Sequence, residues 1–162
     1  MKSDRPDCRW LRLGAGTAGV STIEFVFVAS MLAILAVGSL DFGMGLWQAM
    51  EVGNAARAGA EYASVNASSL MSSWSTSGIS SAVTHATGLS SVQASPAPSK
   101  SCACANTASG LVAATCGSTC SGGNPAGTYV TVNAQASYST VLSYPVLSNP
   151  MTLTASAVAR IN

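Results

Sequence analysis

Charge is what this chain has least of. Only 8% of its 162 residues are Asp, Glu, Lys or Arg, against roughly a quarter in soluble globular proteins. Between Tyr62 and Ala159 the single full charge is Lys100, and His85 is the only histidine in the chain. All six carboxylates lie before Tyr62. The long C-terminal part therefore has no acid for acid–base chemistry, which argues against a hydrolase. No serine stands in a G-x-S-x-G elbow and no G-x-x-x-x-G-K phosphate loop is present. No basic face suits a nucleic acid. The expectation is a non-enzyme with no cofactor, no nucleic-acid partner and no small-molecule substrate.

The charges that exist are unevenly placed. Lys2, Arg5, Arg9 and Arg12 face only Asp4 and Asp7 in the first 19 residues, and the remainder carries a net negative charge. An uncharged run of 16 residues follows from Phe25 to Leu40, and counting back to Val20 extends the segment to 21. At about 1.5 Å per residue, a helix of that length crosses a hydrocarbon core of roughly 30 Å. Glu24 and Asp41 mark the two edges of the apolar run. Cations before the run and few soon after it predict an inside N-terminus and an exported C-terminus. Trp47, about two turns further on, suits an aromatic belt.

Beyond Asp41 the helical pattern continues in small residues. Leu46, Met50 and Gly53 follow a 3-to-4 spacing, as do Ala56, Ala60 and Ala63. Gly43, Gly45, Gly53 and Gly59 each weaken an isolated helix by up to about 1 kcal/mol, so their density predicts close packing against another element. Residues 66–78 are Ser-rich and read as loop. Ile79 to Ala86 reads as a short helix ended by Gly88, and Val92 as part of a strand. Pro96 and Pro98 introduce a Gly/Ser/Ala-rich loop extending to about Pro125. Alternation predicts strands over Tyr129–Val141 and Met151–Arg160, joined by a turn-rich connection through Ser143, Tyr144, Pro145 and Asn149-Pro150. The fold expected is α+β: a long N-terminal helix carrying a short helix and an antiparallel hairpin or small sheet. Its parts are a basic leader over 1–19, a transmembrane half over 20–40, an exported amphipathic half over 41–65 and an exported domain over 66–162.

Cys8 lies in the leader, and Cys102, Cys104, Cys116 and Cys120 cluster over residues 102–120. An even exported set reads as two disulfides. Closure of Cys102 onto Cys104 would be strained, which favours crossing pairs between Cys102 or Cys104 and Cys116 or Cys120, in either order. The competing reading, a thiolate metal site, lacks standard zinc spacing and an environment that keeps thiols reduced.

The sharpest local signal is Gly19 followed at the fifth position by Glu24. Peptidases of the type IV prepilin kind cut after a glycine and leave a glutamate at the fifth mature position. Of the leader glycines only Gly19 satisfies that test, because Gly14 is followed by Gly19 and Gly16 by Ser21 at the same offset. A carboxylate at a membrane edge is costly unless paired, and the new amino group of Val20 on a neighbouring subunit would supply the pair. The simpler reading has Glu24 snorkel to the interface. An ordinary signal peptide, with Phe25–Ala36 as its apolar region and a cut near Ala36-Val37-Gly38, places Glu24 unusually.

The leader glycine, Glu24-Phe25, Asp41-Phe42-Gly43 and the run Asn54-Ala55-Ala56-Arg57-Ala58-Gly59-Ala60-Glu61-Tyr62-Ala63 together resemble the TadE-like proteins, minor pseudopilins of the tight-adherence (Flp) pilus machinery. The resemblance is close over residues 12–65 and weaker at the closing strands. It implies a substrate of a prepilin peptidase, cut between Gly19 and Val20, with Glu24 used in assembly and Asn54, Arg57, Gly59 and Tyr62 as the helix motif. It further implies a bacterial inner-membrane protein whose partners are the membrane, the peptidase, other pilins or pseudopilins and the assembly platform. The rival from another class is a membrane-tethered, adhesin-like binding module presenting the cysteine loop.

Overall fold

A computed structural model describes residues 18–106, 110–142 and 148–162. Residues 1–17 of the expected 1–19 leader, with Cys8, residues 107–109 of the expected cysteine loop and the segment 143–147 of the expected turn-rich connection lie outside the described residues. The architecture is α+β. A single long helix, α1 (Ala18–Val65), is followed by α2 (Ala67–Ser72), α3 (Ser77–His85) and four strands: β1 (Ser99–Asn106), β2 (Gly110–Ala113), β3 (Gly127–Tyr138) and β4 (Met151–Arg160). The chain divides into two compact units, residues 1–39 and 40–162. The described part of the first is purely helical.

In the second unit the strands form one antiparallel sheet in the order β2-β1-β3-β4. The β3–β4 ladder runs without a bulge from Tyr129↔Arg160 to Tyr138↔Met151. β1 pairs with the other edge of β3 from Ser99↔Thr131 to Ala103↔Gly127. Gln93 extends that edge through a pair of 2.8 Å backbone bonds with Gln135.

β3 is the centre of the domain because it is paired on both edges and its alternation has strict period 2. Val130, Val132, Ala134 and Ala136 are almost fully buried on one face. They join Val52, Ala55, Ala56, Ala60 and Ala63 of α1, Ile79 and Val83 of α3, and Leu70 and Val92 in one core. Full burial of each Val or Ile contributes about 1.5–3 kcal/mol. β4 alternates half-buried and exposed residues, the pattern of an edge strand whose inner face is only partly covered.

The short α3 follows the expected face through Ile79 and Val83, which are buried, but Ala86 lies past its end and is exposed. The residues expected to be loop differ in two places. Ala67–Ser72 is a helical turn and a half, held by the burial of Leu70. The cysteine region contains β1 and β2. Ser, Ala and Cys are poor predictors of strand, and here pairing against β3 and covalent closure override local propensity. Val92 is a core residue beside the Gln93 bridge and not part of an extended strand. The strand expected to reach Val141 ends at Tyr138, because the next residues turn to meet Asp41.

Candidate assembly helix and its Asp41 anchor

Along α1, Ile23, Phe25, Phe27, Met31, Leu32, Ile34 and Leu35 are all exposed. A helix apolar on every side needs an apolar surrounding, and this one is long and apolar enough to cross a membrane. The two hydroxyls within its uncharged run are satisfied by the helix itself. Ser30 donates to the Phe27 carbonyl at 2.9 Å and Ser39 to the Leu35 carbonyl at 2.8 Å, as required where no water is available. Gly19 and Val20 lie within the helical backbone of α1, and the Glu24 side chain is exposed.

Asp41 is the exception to the exposed run, being 3% exposed. The Tyr138 hydroxyl lies 2.8 Å from both Asp41 Oδ1 and the Asp41 carbonyl oxygen, and donates to this pair of acceptors. The Val141 amide sits 3.0 Å from both carboxylate oxygens and the Leu142 amide donates to Oδ2 at 3.2 Å. Buried carboxylates are tolerated only with such donors. The carboxylate thus fastens the end of β3, and the turn after it, to the helix. Sequence reasoning treated Asp41 as a marker of the membrane edge and left Tyr138 as an ordinary strand residue. The available signal was a lone carboxylate closing an apolar run, which must find donors elsewhere in the chain.

The face of α1 that meets the sheet contains Asp41, Gly45, Gln48, Val52, Ala55, Gly59 and Ala63, buried or half-buried at spacings of three and four. Gly45 leaves room for the Tyr138 ring, whose Cε1 would lie 3.3 Å from an added Cβ. Gly59 is under greater constraint: an added Cβ would fall 2.6 Å from Val83 Cγ2 and 2.8 Å from Val132 Cγ1. From Gly45 to Gly59 the helix rises about 21 Å, and from Val132 to Tyr138 the strand covers about 20 Å. The two elements therefore run antiparallel and in step, with a glycine at each end of the contact.

This corrects half of the face read from the sequence: Ala56, Ala60 and Ala63 are buried in the core as their spacing predicts, but the earlier half is not. Leu46 and Met50 are exposed, and Cβ atoms at Gly43 and Gly53 would touch nothing within 4 Å. Leu46 and Met50 belong to the outer surface, where the inner stripe runs through Gly45, Gln48 and Val52 instead; from Ala55 to Ala63 the inward face widens to take in Ala56 and Ala60 too. Of the helix motif, Gly59 is a packing residue and Tyr62 closes over Gly78 at the start of α3, where an added Cβ would lie 2.3 Å from the Tyr62 hydroxyl oxygen. Asn54 and Arg57 are exposed. The motif thus mixes residues that hold the fold with residues that show an outer face.

Cys102 is joined to Cys116 and Cys104 to Cys120, the crossing arrangement with its order now resolved. Thiols committed to these bonds are not metal ligands. Lys100 stands 5.2 Å from the centre of the Trp74 ring, a cation–π contact between β1 and the segment joining α2 to α3.

Residues 19–61 match the family model described as TadE-like protein. Over that segment, about a quarter of the chain, α1 is similar to TadE-like proteins. The matched TadE-like segment begins at the glycine that precedes Val20, passes through Glu24 and Asp41, and ends at Glu61 beside the Tyr62 contact. No curated protein and no solved structure matches the chain. The TadE-like segment thus contains both the apolar run and the face on which the sheet is fastened.

Proposed function

We propose that the protein is a membrane-anchored minor pseudopilin that takes part in assembling a Flp-type pilus or a related secretion apparatus. The observation that carries this reading is the TadE-like match over residues 19–61, which points to the Tad/Flp pilus system. A helix apolar on all sides supports membrane anchoring, with the N-terminus inside and the sheet domain outside the bacterial inner membrane. A prepilin peptidase cuts after Gly19, Val20 becomes the N-terminus, and Glu24 sets the register of the helix against neighbouring pilins on the assembly platform. Asn54 and Arg57, exposed on the outer face of the helix, are available to such neighbours. The role is structural and not enzymatic.

N-terminal sequencing of the protein recovered from membranes tests the reading. A start at Val20 supports it; a start near Ser39 or an intact Met1 overturns it. In the same cells Glu24→Ala is expected to leave export and cleavage intact and to lower pilus output. Unchanged output would return Glu24 to the role of an interfacial side chain.

A further inference from the structure

The exposed apolar surface of α1 does not end where the uncharged run ends. About 20 helical residues cross a hydrocarbon core; counted from Phe25, immediately after Glu24, they end at Met44. Asp41 then falls inside the outer edge of the membrane, where an exposed carboxylate is strongly disfavoured. The structure removes that difficulty, because Asp41 is buried and bonded to Tyr138, Val141 and Leu142. Those bonds bring the end of β3 to the same level. At that level Phe42, Met44, Leu46, Trp47 and Val141 are exposed, Val141 at 72%.

With about 100° between successive residues, Phe42, Met44, Leu46, Trp47 and Met50 cover every side of the helix that the sheet leaves open. A partner helix would need one apolar face; a collar spread around the helix and onto the sheet end fits a surrounding medium. The collar also stops abruptly. After Met50 come Glu51, Asn54 and Arg57. Trp47 lies about 4.5 Å beyond Met44 along the axis, within the interfacial layer that tryptophan favours. A groove of about 210 Å³, lined mainly by Phe42, Leu46, Ala49, Met151 and Leu153, opens among the same residues.

We infer that the Asp41 end of the exported domain is a lipid-docking surface, seated in the interfacial layer of the bilayer rather than held above it on a helical stalk. The Asp41–Tyr138 anchor makes that seating possible by hiding the one charge at this depth. The inference rests on the reading that α1 crosses the membrane, and its test separates the two.

Single-tryptophan variants of the full chain, with the remaining tryptophans among Trp10, Trp47 and Trp74 replaced by Phe, are reconstituted in phosphatidylcholine vesicles with and without brominated acyl chains. Native Trp47 alone, and Val141→Trp, are expected to lose fluorescence to the brominated lipid and to emit at shorter wavelength than in water. Val158→Trp, exposed on β4 and about 23 Å along the strand from Met151, is expected to be unaffected. Leu32→Trp reports the span itself. Quenching at Leu32→Trp without quenching at Trp47 and Val141→Trp overturns the docking surface and leaves the span standing. No quenching at Leu32→Trp overturns both. Because Trp47 is native and the Val141 contact uses its backbone amide, the readout does not depend on a disruptive substitution.

Discussion

At the scale of single residues, Asp41 and Gly59 decide the most. Replacing Asp41 by Ala leaves the Val141 and Leu142 amides without their acceptor, while the Tyr138 hydroxyl keeps the backbone carbonyl of residue 41 at 2.8 Å. An unsatisfied buried group costs about 1–3 kcal/mol, but the part-buried amides after β3 can turn to water, so a loss of about 1–2 kcal/mol is expected. Tyr138→Phe removes one donor and is expected to cost about 1 kcal/mol. Thermal unfolding in detergent micelles measures both, and equal effects would mean that the backbone contacts of Asp41 contribute nothing. Gly59→Ala would gain up to about 1 kcal/mol in helix propensity but forces a methyl against Val83 and Val132. Overpacking of this kind costs about 1–3 kcal/mol, and the net expectation is destabilisation. Gly53→Ala meets no neighbour and is expected to stabilise the isolated protein by up to about 1 kcal/mol. If the outer face packs in an assembly, the same substitution lowers pilus output, so the two assays move in opposite directions.

At the scale of elements, the sheet was half legible. β3 and β4 announced themselves through Val130, Val132, Ala134 and Ala136 alternating with polar residues, and through the same pattern from Met151 to Ala159. β1 was hidden because Ser-Cys-Ala-Cys-Ala has no strong strand former; its place depends on partners far away in sequence. The two disulfides close loops with sequence separations of 14 and 16, for which the chain-entropy account gives about 3 kcal/mol each. None of the four cysteines belongs to the main core cluster. Reduction is therefore expected to loosen β1, β2 and the 114–126 loop first while α1 and the β3–β4 ladder persist. Hydrogen exchange before and after reduction checks this. Uniform loss of protection across β3 and β4 would show that the cysteine region and the core unfold as one unit.

At the scale of the whole molecule, an almost uncharged sheet domain follows an apolar helix. Few like charges oppose close approach of such surfaces, and the hydration of the domain rests on Ser, Thr and Asn. The expected consequence is weak dependence of its association on salt. Light scattering of the reconstituted protein across a salt series tests it, and dissociation at moderate ionic strength would point to ion pairs through Arg57 or Glu61 instead.

What the sequence determined by itself was local and periodic: an apolar run of membrane length, a helix continuing past Asp41, two alternating strands, an even cluster of four cysteines and the glycine-to-glutamate spacing. Each depends on residues close together in the chain, so hydrophobic period and composition suffice to read it. Only the tertiary structure decided which stripe of α1 faces inward, which cysteines pair, and what Asp41 does. The helix carried Leu46 and Met50 at the same 3-to-4 spacing as its true inward residues, and the inward side there was decided by Tyr138, Val132 and Val83, residues distant in sequence that pack against Gly45 and Gly59. The carboxylate likewise carried no local sign of its partners. Its donors stand about a hundred residues further on, and only folding brings them within bonding distance.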